Sequence, residues 1–124
     1  MRLEVQSTRR FEKDLGALAK ADQERVVQTV EAHVVDFDPA VGDSTRHITQ
    51  PLRVRVPGGY DSSLYSLRVG QKIRVLLTIE EDPIFDVKLV TLMRVVQHND
   101  LNKAYRSIAE SLAQNFASGS DSDG

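Results

Sequence analysis

Leu64–Leu77 restricts the possible folds more than any other stretch. It reads Leu-Tyr-Ser-Leu-Arg-Val-Gly-Gln-Lys-Ile-Arg-Val-Leu-Leu. Apolar and polar residues exchange at period two on both sides of Gly70, which predicts two half-buried strands joined by a tight turn. Tyr65, Leu67 and Val69 share one face of the first strand, and Ile73, Val75, Leu77 and Ile79 share one face of the second. A slip of one residue would turn every side chain to the opposite face, so the loop must hold an odd number of residues. A three-residue loop over Val69–Gln71 pairs Leu67 with Ile73, Tyr65 with Val75 and Ser66 with Arg74. Arg68, Lys72 and Arg74 then gather on the face turned away from the apolar core. A solvated outer sheet face accounts for such a cluster in the plainest way. Arg74, set among Ile73, Val75, Leu76 and Leu77, points instead to an anionic partner or ligand.

The chain has 124 residues, enough for one domain with a real core and too few for two. It has no cysteine, which excludes disulfides and thiol chemistry and suits a reducing cytoplasm. Met1-Arg2-Leu3-Glu4 does not open a signal peptide, and no apolar run approaches the ~18 residues of a membrane span. The expectation is a soluble cytoplasmic protein. The net charge of -2 conceals an uneven distribution. Residues 39–79 hold six bases and two acids, a local +4, between two acidic flanks. A local basic patch can meet a polyanion even when overall charge does not announce one.

Arg2–Gln6 alternates and predicts a first strand. Ser7 or Thr8 is placed to cap the next helix, which carries Phe11, Leu15 and Leu18 at helical spacing over Arg9–Ala19. Asp22 is placed to cap a second helix over Gln23–Val35, with Val26, Val27, Val30 and Val34 on one stripe. The link between the two is so short that they form an antiparallel pair. His33 reads as an edge residue, since no second ligand stands at metal spacing in the sequence.

Pro39–Ser63 is a long irregular connection, and Leu52–Val56 within it reads as a short edge strand closed by Pro57. After the hairpin, Glu80-Glu81-Asp82-Pro83 reads as a polar turn and Ile84–Val96 as a buried central strand. Asn99 or Asp100 is placed to cap a last helix with Leu101, Tyr105, Ile108, Leu112 and Phe116 on one stripe. The order predicts an α+β fold. Its antiparallel sheet combines the N-terminal strand with a C-terminal three-stranded meander, with the helical hairpin on one face, and a C-terminal helix follows. Residues 1–117 form the single domain, and 118–124 read as a disordered acidic tail because nothing there can be buried.

That order resembles the RelE/ParE toxin superfamily of type II toxin–antitoxin systems. The resemblance runs from Val5 to Leu112. It rests on Phe11-Glu12-Lys13-Asp14-Leu15, on the hairpin Leu64–Gly70 with Lys72-Ile73-Arg74-Val75, and on His98 to Tyr105-Arg106. It implies a RelE-like fold and a toxin with a cognate antitoxin as partner. In the nuclease branch it implies an endoribonuclease (mRNA interferase) acting on messenger RNA, on the ribosome, with no metal or cofactor. There a ribose 2′-hydroxyl attacks the adjacent phosphate, which needs a base, an acid and cations to hold the phosphorane charge.

Carried over by position, the resemblance implies catalytic roles for Arg74, Tyr105 and His98, with Arg74 on the scissile phosphate. Arg68 and Lys72, with Arg53 and Arg55 from the long connection, are the implied RNA-backbone contacts. Where some of these nucleases carry two lysines on the first hairpin strand, this chain has Leu64 and Ser66, and Asn99 follows the histidine. Those departures keep a second reading open: a non-catalytic inhibitor of DNA gyrase, as in the ParE branch, or a protein-binding module.

Overall fold

The computed structural model describes residues 2–50 and 63–122, with side chains as far as residue 112. The elements in chain order are β1 (Arg2–Ser7), α1 (Arg9–Gly16), α2 (Lys20–His33), β2 (Ile48–Thr49), β3 (Leu64–Val69), β4 (Ile73–Asp82), β5 (Val87–Gln97) and α3 (Leu101–Ser122). The five strands form one sheet in the order β1-β5-β4-β3-β2. β1 lies parallel to β5, and the other pairings are antiparallel. The α+β arrangement is the one expected, with the α1–α2 hairpin on one sheet face. Helical backbone in α3 is continuous past residue 117, where composition ends the domain. Among the described residues no helix is long and apolar enough to cross a membrane. The expected edge strand Leu52–Val56, with Arg53 and Arg55, lies outside the described residues.

The hairpin loop is odd, as the pattern requires, but it spans Gly70-Gln71-Lys72 rather than Val69–Gln71. Val69 pairs with Ile73, Leu67 with Val75, and Arg68 with Arg74. The shift is two residues, so every side chain keeps its face. Gly70 decides it: the first loop residue has φ +64°, a conformation that costs glycine little and other residues more. The β4–β5 turn also differs from expectation. β4 runs through Glu80–Asp82, and the Asp82 carboxylate accepts the amides of Ile84 and Phe85 to close a turn beyond it. Ile84 and Phe85 are therefore exposed turn residues and not the start of β5.

Alternation along the strands builds two cores. On one face Leu67, Val69, Ile73, Val75, Leu77, Ile79 and Val90 pack against Phe11, Val26, Val34 and Phe37 from the helical hairpin and its exit. On the other, Leu64, Leu76 and Val96 pack against Ala104, Tyr105, Ile108 and Ala109 of α3. Each fully buried Leu or Val contributes roughly 1.5–3 kcal/mol relative to exposure. The face carrying Arg68 and Arg74 is thus largely roofed by α3, which is why Ser66 and Thr78 on it are buried too.

β5 is an interior strand and, as the longest, has the most backbone to satisfy. β1 accompanies it only as far as the Ser7–Leu92 pair. A bulge follows, with Leu77 opposite Leu92 but Leu76 opposite Arg94, so that Met93 is the extra residue. The cap residue of α1 and a side chain of the helix take over from β1 there. The Thr8 amide donates to the Leu92 carbonyl (3.0 Å) and its hydroxyl to the Met93 carbonyl (2.8 Å). The same Thr8 oxygen caps α1 by accepting the Phe11 amide. One turn on, Asp14 accepts the Val95 amide (3.1 Å) and the Arg94 Nε–H (2.9 Å).

α2 begins at Lys20, before the expected cap, and Asp22 lies in its first turn, where its charge suits the helix dipole. The C-terminal end of α2 is closed from the sheet. Buried Lys88 of β5 donates to the carbonyls of Phe37 and Val34, where a cation complements the helix terminus. A single 3₁₀ turn, His98–Asp100, leads into α3.

If α1 replaces β1 as the partner of β5, removing its contacts must weaken the whole domain. Asp14→Ala leaves a half-buried arginine and an amide unpaired and should cost about 2 kcal/mol in urea unfolding. Thr8→Ala should cost about 1 kcal/mol. Exposed Arg9→Ala serves as the reference, within about 0.5 kcal/mol of the parent.

Candidate functional site

The cationic residues of the hairpin meet at its turn. Arg74 and Arg68 stand directly opposite each other on β4 and β3. Like charges so placed repel. Burial first, and the facing Arg68 second, lower the Arg74 pKa from its ordinary value. The guanidinium is held by the turn backbone: Nη1 donates to the carbonyls of Ile73 (2.8 Å), Gly70 (3.3 Å) and Gln71 (3.3 Å). Among the described residues no carboxylate pairs with it, and the Nε–Nη2 edge is not used by these bonds. That edge has the fork geometry that suits a phosphate.

Lys72 lies in the turn, exposed, and its carbonyl accepts the His98 amide (2.7 Å). The end of β5 is therefore tied to the turn, and exposed His98 belongs to the same end of the sheet as Arg68, Lys72 and Arg74. α2 adds a cation that its spacing along the chain does not single out. Arg25 Nη1 lies 3.3 Å from where a side chain at Gly70 would begin. Arg25 and Lys72 line a cleft of about 470 Å³ that shares Leu18, Ile73 and Gln97 with a second of about 520 Å³, bordered by Arg10, Arg94 and Lys103. Only the three-dimensional packing of α2 on the turn reveals Arg25, since its helix spacing is that of an ordinary solvated residue.

Tyr105 is elsewhere. It is 0% exposed, within the α3 core, and its hydroxyl donates to the Leu64 carbonyl at 2.7 Å. The departures at Leu64 and Ser66 have the same origin. Both are buried beneath α3, at 0% and 3% exposure, where a lysine ammonium would lose its water. His33 is not the isolated histidine that sequence spacing suggested, because tertiary structure sets it against His47.

The fold has a solved counterpart. A chain of the crystal structure of the archaeal RelE–RelB complex from Pyrococcus horikoshii OT3 superposes with TM-score 0.51 at 21% identity, covering 78% of this chain and 96% of that one. The chain has a RelE-like fold. A chain of the RelB–RelE antitoxin–toxin complex from Methanococcus jannaschii gives TM-score 0.48 at 16% identity, covering 77% and 93%. No protein-family model and no curated protein matches the sequence. Within the RelE-like fold, the sheet and α3 carry the hairpin cations to one end, while Tyr105 serves the packing of α3.

Tyr105→Phe tests that role. Loss of the buried hydroxyl contact should lower unfolding free energy by about 1 kcal/mol, read by chemical denaturation. Any activity located at the turn should persist in the folded variant.

Proposed function

We propose that this chain is the toxin of a toxin–antitoxin pair and an endoribonuclease that cleaves messenger RNA at the turn end of its sheet. The observation that carries the reading is Arg74: three turn carbonyls fix one nitrogen of its guanidinium and leave the other edge for an anion. A phosphodiester bound there lies among Arg68, Lys72 and Arg25, which spread positive charge around the crowded phosphorane. The ribose 2′-oxygen loses its proton and bonds to phosphorus. The bond to the 5′-oxygen breaks, and that oxygen takes a proton. His98, exposed and backbone-tied to Lys72, is the group assigned to proton transfer. Water serves the other transfer, and Tyr105 is assigned to packing. The message is presented on the ribosome, and Arg53 and Arg55 extend the RNA contact. A cognate antitoxin is the partner, laid over the basic end and ordered on binding.

Burial of Tyr105 favours one alternative, a non-catalytic protein-binding toxin of the gyrase-inhibitor kind, since it leaves a single proton-transfer residue at the turn. The two readings separate on induced expression in a bacterial host, with RNA mapped for new 5′ ends. New cuts in translated messages should fall by about 10²-fold or more in Arg74→Ala. His98→Gln should lower them by a factor on the order of 10². Growth arrest with intact messages and inhibited DNA supercoiling would replace the nuclease reading with the gyrase one.

A further inference from the structure

The chain has three histidines, and the fold brings two of them together. His33 closes α2 and His47 immediately precedes β2. Their rings stack with centroids 4.0 Å apart and 14° between planes. Asp43 completes the group: one ring nitrogen of each histidine and one carboxylate oxygen all lie within 4.8 Å of one another, each residue half-buried. Two imidazoles and a carboxylate make a donor set for zinc and its neighbours, whereas magnesium and calcium prefer oxygen alone.

The surroundings already orient these donors. The Thr45 hydroxyl donates its one hydrogen to Asp43 Oδ1. Toward His47 Nδ1, 2.7 Å away, it can therefore only accept. His47 Nδ1 accordingly carries a proton, so Nε2 is the nitrogen through which the neutral ring can bind a metal. A carboxylate fixing the tautomer of a histidine is the outer-shell device of many metal centres. Asp43 is ionised: the Thr45 hydroxyl, together with the amides of Ile48, Thr45 and His47, lowers its pKa to about 2 against the opposing effect of burial. The same bonds fix the backbone of residues 43–48.

We propose that His33, His47 and Asp43 bind a divalent transition-metal ion of the zinc class, stapling the end of α2 to the edge strand β2. Bond lengths of about 2.0–2.2 Å put tetrahedral ligands roughly 3.3 Å apart, so the donors must draw together by about 1.5 Å. Side-chain rotation supplies this at a half-exposed site, with one amide contact of Asp43 exchanged for the ion and water completing the shell. The staple acts beside the basic end, because the His47 carbonyl accepts the Arg68 amide at 2.7 Å. Metal occupancy would then fix the edge that carries Arg68, whatever that end of the sheet binds.

The test uses the untagged full-length chain, stripped with a chelator and titrated with Zn²⁺ by calorimetry and thermal unfolding. One equivalent should bind with micromolar or tighter affinity and raise Tm by several degrees. His33→Gln and His47→Gln should each weaken binding at least tenfold, while His98→Gln should not. NMR of the unsubstituted chain reads the site without mutation: Zn²⁺ should shift the ring nitrogens of His33 and His47. Absence of saturable binding at 100 μM Zn²⁺, full affinity in either His33→Gln or His47→Gln, or shifts confined to His98 would each overturn the site.

Discussion

The fold depends on completing the hydrogen bonds of β5 after β1 has ended. An interior strand in a small sheet needs partners on both edges, and unpaired backbone groups along it are costly. Here β1 stops at Ser7, and the following two turns of chain supply the missing partners from the Thr8 amide and from side chains. Thr8 serves twice, as helix cap and as donor to the bulge, so the start of α1 and the irregularity of β5 are one feature. Asp14 adds the second anchor through Val95 and Arg94. With α1 fixed in this way, α2 is constrained to lie across the same face, and Lys88 closes its far end.

The second face follows from that arrangement. Once the helical hairpin occupies one side, α3 can bury its stripe only on the other, over Leu64, Leu76 and Val96. This limits where charge can be placed. Beneath α3 a cation would be desolvated, and Leu64 and Ser66 stand there instead. Beyond it, at the turn, Arg68 and Arg74 tolerate direct opposition because Arg68 reaches water and Arg74 is steadied by backbone carbonyls. Concentrated positive charge in a rigid hairpin is thus a consequence of how α3 covers the sheet. The electrostatic tension between two facing arginines is relieved best by an anion.

The connection between α2 and β2 shows the same economy on a smaller scale. Asp43 accepts four donors from the next five residues, and Lys88 donates to the carbonyls at the end of α2. Two polar side chains therefore organise most of the irregular backbone between His33 and Ile48. The stacked histidines lie between these two anchors and inherit their positions from them.

Local patterning dictates the two-faced hairpin, the helical pair and the amphipathic last helix, because period-two and period-3.6 patterns report directly which side of an element is buried. It determined the parity of the hairpin loop for the same reason. It could not place that loop, since registers two residues apart bury identical faces, and only the left-handed backbone at Gly70 separates them. Nor could it tell that Ile84 and Phe85 belong to a turn, because an apolar run has no internal mark where a strand begins. Arg74, Arg68 and Lys72 were legible as one cluster because they are close in the chain and bound to a single hairpin. Arg25 beside Gly70, Tyr105 withdrawn into the core, and His33 against His47 were decided by tertiary structure alone. Each is a contact between elements distant in sequence, and local periodicity carries no information about which distant elements will meet.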